Sequence, residues 1–175
     1  RNPPYKGKCK VKLHAIWSGP YVDVRTTAHY SWSVLGAADS QITIDDVQNA
    51  NIQEYKILVI NGTALNIEPT RSANFFAVEI AEKNNVQVVF DLDFRADQWH
   101  DYRAFGLTVR AILPKVKIAI GTEEEILAAT MSDSSQVIIK DQQISAPEIK
   151  GNIEVSIKQL LSCGIETLIV KRGES

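Results

Sequence analysis

Two carboxylates and a guanidinium fall within five residues, at Asp91, Asp93 and Arg95. A guanidinium fork can grip a carboxylate or a phosphate through two parallel hydrogen bonds. The stretch before it, from Val86, is apolar and β-branched, as a buried strand should be. In an open α/β sheet, ligands sit beyond the carboxyl ends of the strands, so these three side chains emerge where a site would have its floor. A plainer reading is also open: strand-end acids can cap the next helix or pair with Arg95. A second group, Thr122 to Glu125, sits at another strand-to-helix junction. Its spacing is that of a capping box, and it would also present carboxylates to bound Mg²⁺ and phosphate, because Mg²⁺ keeps its waters and touches protein through one or two carboxylates. The two readings coexist. The third group, Lys171, Arg172 and Gly173, is a basic loop with a glycine. Such a loop can hold phosphate on backbone N–H groups, although a solvated turn explains it equally. His14, His29 and His100 show no ligand spacing and no Ser/His/Asp arrangement, so they read as surface or packing residues. Trp17, Trp32 and Trp99 read as packing anchors, with Trp99 closing the stretch that begins at Asp91.

The elements that must position these groups follow from periodicity. Residues 56–61 form a short buried strand broken by Gly62. Pro69 suits the first turn of a helix, and Ala73, Phe76, Ala77, Ile80 and Ala81 repeat at helical spacing. The strand from Val86 then completes a strand, helix, strand unit with the length a parallel crossover needs. A second helix runs through Phe105, Thr108, Val109, Ile112 and Leu113 to Pro114. A third strand spans 116–120, followed by Gly121 and a short helix to about Thr130. Residues 137–139 are a minor strand. Asn152 caps a helix that Gly164 ends, and 167–170 is the last buried strand. The alternation predicts a mostly parallel sheet with helices on its faces. Residues 1–51 read as a separate N-terminal segment with partly antiparallel strands, at 9–17, 22–26 and 29–34, and with Asp45 or Asp46 capping a short helix. Residues 52–175 read as the α/β core.

The chain has 175 residues and a net charge of -2, which gives no sign of nucleic acid or of an anionic membrane surface as a partner. No apolar run approaches a membrane span and no secretory pattern opens the chain. Cys9 and Cys163 are far apart and lack ligand spacing, which fits two reduced thiols in a cytoplasmic protein. The acceptor sequence Asn61, Gly62, Thr63 lies where a buried strand ends and reads as accidental. A homodimer is compatible with the chain, whose sequence fixes no oligomeric state.

Four stretches together resemble the ribokinase, or PfkB, family of carbohydrate kinases. Residues 58–63 with Glu68 to Arg71 look like the family strand and helix start. Asp91, Asp93, Arg95 and Trp99 match an Asp-x-Asp-x-Arg-x-x-x-Trp signature, the most specific of the four. Thr122 to Glu125 looks like the family's Asn-x-x-Glu metal and phosphate motif, with Thr122 where Asn is usual. Residues 170–173 look like the loop near the nucleotide phosphates. The likeness runs from about Ala37 to Ser175, while residues 1–36 do not match well enough to carry anything over. It implies a ribokinase-like three-layer sandwich with a mostly parallel central sheet, present here as a partial domain behind an N-terminal β appendage.

The resemblance also implies ATP and Mg²⁺ as cofactors. The activity implied is transfer of the γ-phosphoryl group to a hydroxyl of a ketose-like sugar acid or deoxysugar, as in inositol catabolism. Arg95 and Asp93 would face the sugar, with Arg95 also at the transferred phosphoryl group. Lys171 and Gly173 would face the nucleotide; Glu125, and Thr122 beside it, would face the metal through water. The family's Gly-Ala-Gly-Asp motif does not occur in the chain, so the chain itself is expected to bind poorly and to catalyse nothing. Two rivals remain. The run to Asp91 and Asp93 also resembles the first motif of haloacid-dehalogenase-type phosphatases, where the first Asp is a nucleophile, but Phe94 and Arg95 follow and none of Asp101, Asp133 or Asp141 supplies the later acidic pair. The other is a non-catalytic sugar-binding or pseudokinase domain.

Overall fold

The computed structural model describes residues 38–138 and 148–172. The strands expected at 9–17, 22–26 and 29–34, and Gly173, lie outside them. The first described helix, α1 (Ile44–Gln48), is capped by Thr43 in a reciprocal capping box with Asp46. The sequence reading placed the cap at Asp45 or Asp46; the hydroxyl one turn earlier takes it, because Asp46 serves as the returning carboxylate. Val47 is buried in the core and α1 packs on α2 (Thr70–Lys83).

Strand β1 (Ile57–Asn61) leads through a 3-10 turn into α2, and α2 leads into β2 (Gln87–Asp91). Helix α3 (Tyr102–Ile112) and a 3-10 turn at Leu113–Lys115 lead to β3 (Ile118–Thr122). That strand starts two residues later than its apolar run suggests. Val116 is instead the C-cap of the turn, its N–H donating to the Leu113 carbonyl. Helix α4 (Glu123–Thr130) follows at once, then the short antiparallel pair β4 (Val137–Ile138) and β5 (Glu148–Ile149). Helix α5 (Ile153–Leu161), capped by Asn152, leads through Gly164 at φ 105° to β6 (Thr167–Lys171).

Four strands pair in parallel in the order β1-β2-β3-β6. Each new strand is added on the same side of the last one. With right-handed crossovers, that progression puts every connecting helix on one face of the sheet. The burial alternation agrees. Leu58, Ile60, Val88, Phe90 and Ala119 are buried beneath the helices, joined by Phe105, Val109, Ile112, Ile126 and Leu160. The alternate positions face the other way. Ile57, Val59 and Ile169 are 53%, 46% and 45% exposed, so among the described residues this second face is bare. Along it, each strand ends in a polar residue, in a stepped row across the carboxyl edge: Asn61 is level with Asp91, and Thr122 is level with Lys171 two residues further along.

Two glycines flank the exit of β2 and hold it close. A Cβ on Gly62 would lie 1.9 Å from the Leu92 carbonyl oxygen, a backbone overlap that no rotamer relieves. A Cβ on Gly121 would lie 2.7 Å from the Leu92 side chain and 3.2 Å from the Glu125 carboxylate. The Leu92 N–H donates to the Ile120 carbonyl at 2.8 Å, and its side chain is fully buried. The chain beyond Asp91 is therefore pinned between its neighbours before it turns outward. Gly121→Ala is expected to destabilise the chain by about 1–2 kcal/mol, since overpacking displaces a well-packed leucine. Urea unfolding with an unchanged m-value measures it, and a midpoint equal to the parent's would show that Leu92 yields freely.

Candidate functional site

The site is built on the row of strand ends. Asn61 is committed locally: its side-chain oxygen accepts from the Ala64 N–H at 3.1 Å and the Thr63 hydroxyl at 2.7 Å. Arg71 is committed too, donating to the Leu65 and Asn66 carbonyls and bracing the loop that enters α2.

Beyond β2 the chain makes a sharp excursion. Asp93 has φ 37°, left-handed backbone that a non-glycine residue adopts at a cost and that recurs at functional sites. Asp93 and Arg95 face each other: Arg95 Nε donates to Asp93 Oδ1 at 3.0 Å. The plainer reading of this stretch, an ion pair within the loop, is thus present. It uses only Nε, however. The two Nη groups of Arg95, the tines of the fork, make no hydrogen bond among the described residues, and the side chain is 45% exposed. Between these polar residues Leu92, Phe94 and Ala96 are buried, with Phe94 against Phe105 at 4.7 Å. The alternation turns apolar groups inward and carries Asp93 and Arg95 to the surface. Trp99 is buried and meets Phe105 edge-on at 5.5 Å, which makes it a packing residue. Its indole N–H finds no partner among the described residues.

At the end of β3 the expected capping box is present. Thr122 Oγ1 accepts from the Glu125 N–H at 3.2 Å, and Glu125 Oε2 accepts from the Thr122 N–H at 2.7 Å. The box folds the Glu125 carboxylate back over the strand end, where the side chain is 15% exposed. Burial pushes its pKa above the usual carboxylate range. The Thr122 N–H and the Lys171 charge oppose that shift, and the nearby Asp91 and Asp93 charges add to it.

Lys171, at the end of β6, reaches this carboxylate and one more. Its Nζ lies 3.3 Å from Asp91 Oδ1 and 3.9 Å from Glu125 Oε2. Arg172 next to it pairs with Glu123 at 2.7 Å. The basic residues after β6 therefore close on the first turn of α4. The structure brings Asp91, Glu125 and Lys171 together, with Thr122 bonded to Glu125 and level with Lys171. It sets Asp93 and Arg95 on the adjoining loop, paired with each other. Sequence reasoning named Asp91 but gave it no role in the kinase reading. The missing signal is strand order, which alone carries the end of β6 to within reach of β2. His100 is exposed, and Cys163 is a free thiol that donates to the Gln159 carbonyl. Among the described residues no three His, Cys, Asp or Glu side chains converge as a ready-made metal cage, and no helix is long and apolar enough to cross a membrane.

A sequence model of the pfkB family carbohydrate kinases matches residues 22–175. The match begins earlier than the motif likeness, which starts near Ala37, so part of the segment left unassigned belongs to the family's span. Among curated proteins, a 5-dehydro-2-deoxygluconokinase from Clostridium beijerinckii is 29% identical over 139 residues, covering 79% of this chain and 37% of that protein. One from Clostridium perfringens is 34% identical over the same shares. The chain thus spans under two fifths of the length of the relatives it matches. Among solved structures, a fructokinase from Vibrio cholerae O395, with fructose, ADP and calcium ion bound, superposes with a TM-score of 0.63 at 20% identity, covering 82% of this chain and 40% of that one. An aminoimidazole riboside kinase from Salmonella enterica, complexed with aminoimidazole riboside and an ATP analogue, gives 0.58 at 14%, covering 75% and 38%. These likenesses establish the ribokinase-like α/β fold.

Proposed function

The chain belongs to the pfkB family of carbohydrate kinases, and from that premise we propose that it forms part of an ATP-dependent kinase of a ketose-like sugar acid or deoxysugar resembling 5-dehydro-2-deoxygluconate. The observation that carries this reading is the convergence, at one carboxyl edge, of three of the four stretches that resemble the family. They arrive from β2, from the β3–α4 junction and from β6. Phosphoryl transfer asks little covalent chemistry of a protein and much positioning and charge neutralisation. A row of strand-end groups with helix N–H groups beside them suits that task.

Arg95 would grip the sugar's carboxylate or the transferred phosphoryl group with its two unused Nη groups, with Asp93 holding Nε and thereby the plane of the fork. Lys171 and Gly173 would face the nucleotide phosphates. Glu125, supported by Thr122, would face a hydrated Mg²⁺. The donor set fits such an ion: two carboxylates, Asp91 and Glu125, stand close enough to share one cationic group, and Mg²⁺ asks for one or two carboxylates plus waters and phosphates. Bound there, Mg²⁺ would neutralise charge on the phosphates. Among the described residues the phosphatase reading gains nothing. Asp101 is held by Arg103 as the cap of α3, and Asp133 accepts from the Ser135 N–H in a local turn.

The test is coupled ADP release across a panel of keto-sugar acids. The full-length protein is expected to turn over at least one of them with ATP, and the 175-residue chain none. Turnover by the isolated chain, or phosphate release from sugar phosphates in place of ADP formation, would sink the reading.

A further inference from the structure

The Lys171 ammonium is held from two directions by carboxylates that belong to other elements, Asp91 of β2 and Glu125 of α4, at 3.3 and 3.9 Å. The strand β3 lies between β2 and β6, and Asp91 is level with Ile120 while Lys171 is level with Thr122. The two backbones are therefore two strand spacings apart across the sheet, roughly 9–10 Å, and two residues apart along it, roughly 6–7 Å. The lysine stem must cross the end of β3 to make that contact. Its charge then lies beside Thr122 and the first turn of α4, where the helix presents N–H groups and the macrodipole disfavours a cation. Neither strand nor helix explains the ammonium's position; the two carboxylates do. The other basic groups at this edge are engaged elsewhere, Arg95 with Asp93 and Arg172 with Glu123. Both Lys171 contacts are long and its side chain is 46% exposed, so the grip is weak and easily exchanged.

We propose that Lys171 is the resident counter-ion of the Asp91–Glu125 pair and exchanges there with a hydrated divalent cation, which frees the ammonium for an anionic ligand. Asp91 then faces the cation directly, and toward the anionic ligand it is a positioning residue that acts through Lys171. This rests on the reading of Glu125 as the carboxylate that faces the metal. Two carboxylates with one ammonium between them keep a net negative charge; a divalent cation in its place neutralises the pair and leaves the ammonium unpaired beside the phosphates it is charged to attract. No bond is made or broken, only the partner of each charge changes.

Mn²⁺ alone, titrated into the full-length protein without nucleotide and followed by the loss of free-ion electron paramagnetic resonance, reads the exchange. Removing an internal competitor strengthens cation binding, so Lys171→Met and Lys171→Gln are each expected to bind Mn²⁺ about three- to tenfold more tightly than the parent. Lys171→Arg keeps the charge and should match the parent. Asp91→Asn should weaken Mn²⁺ binding by a similar factor. Metal-free ADP should respond in the opposite sense, more weakly bound by Lys171→Met. Adding Asp91→Asn to that variant should change ADP binding no further. A residue that only supports the fold would shift both ligands in one direction. Mn²⁺ binding by Lys171→Met that is equal to or weaker than the parent's overturns the exchange, as does a parent that takes up no Mn²⁺. Sugar turnover, measured separately, decides the kinase reading: turnover without exchange leaves that reading standing, and exchange without turnover removes it.

Discussion

Arg95→Lys in the full-length protein should lower kcat/KM for the sugar about a hundredfold while leaving the melting temperature almost unchanged. The size follows from what the substitution keeps and removes. Lysine keeps the charge and can still approach Asp93. It removes the planar fork, whose parallel N–H groups recognise a carboxylate or phosphate in a fixed orientation, and a small misplacement of a reacting group costs of that order. The fold loses little. The Asp93–Arg95 pair is half open to solvent, and exposed pairs contribute roughly 0–1 kcal/mol. Leu92, Phe94 and Ala96, which anchor the loop, are untouched. The kinetic split carries the argument. Loss in kcat as well as KM places the fork on the transferring group, and loss in KM alone places it on the sugar. Near-normal sugar kinetics with a lowered melting temperature would make Arg95 a loop fastener only, and would take away the strongest reason for placing the sugar at the end of β2.

How much of this was legible in sequence depends on whether local rules or tertiary pairing decided the residue. The capping box at Thr122 and Glu125 and the Asn152 cap were legible because both are settled within four residues by hydroxyl, amide and carboxylate chemistry. The strand from Gln87 to Asp91 was legible because the β-branched and aromatic residues Val88, Val89 and Phe90 form a run too short for a helix, with Val88 and Phe90 buried. The start of β3 was misplaced by two residues because Val116 is apolar for a different reason: it closes a turn and packs in the core. The cap of α1 was misassigned because Thr43 and Asp46 both qualify locally, and only their reciprocal bonds decide which is the cap.

The charges were harder. Asp93 with Arg95 is a contact two residues apart and could be foreseen. Lys171 with Asp91 is separated by eighty residues, and nothing in either stretch names the other. It follows from the order β2-β3-β6 and from a register that sets Thr122 beside Lys171 and Ile120 beside Asp91. The same strand order explains why the two faces of one sheet differ. Every crossover advances the sheet in one direction, so the helices collect on one side, and the strand ends on the opposite side are left to form the row on which the candidate site stands.

Glu125→Gln should separate the cap from the site. Glutamine is nearly isosteric and its side-chain oxygen can still accept from the Thr122 N–H, as either residue does in a capping box. The stability cost should therefore stay below about 1 kcal/mol. The sign of the pH dependence sharpens this. Burial raises the Glu125 pKa in the folded chain above its ordinary value, so the folded state binds the proton more tightly than the unfolded state. The stabilisation linked to that proton is fully present below the ordinary glutamate pKa and is lost as pH rises through the raised value. Near neutrality the ionised carboxylate carries a desolvation cost that a neutral amide does not, so the Gln variant should melt at about the parent's temperature and show a flatter profile across that window. Activity should behave oppositely. Without the charge that faces the cation, ATP-dependent turnover by the full-length protein should fall by about a hundredfold or more, and added Mg²⁺ should not restore it. A variant that melts far below the parent yet keeps normal activity per folded molecule would reduce Glu125 to a cap and remove the metal from this edge of the sheet.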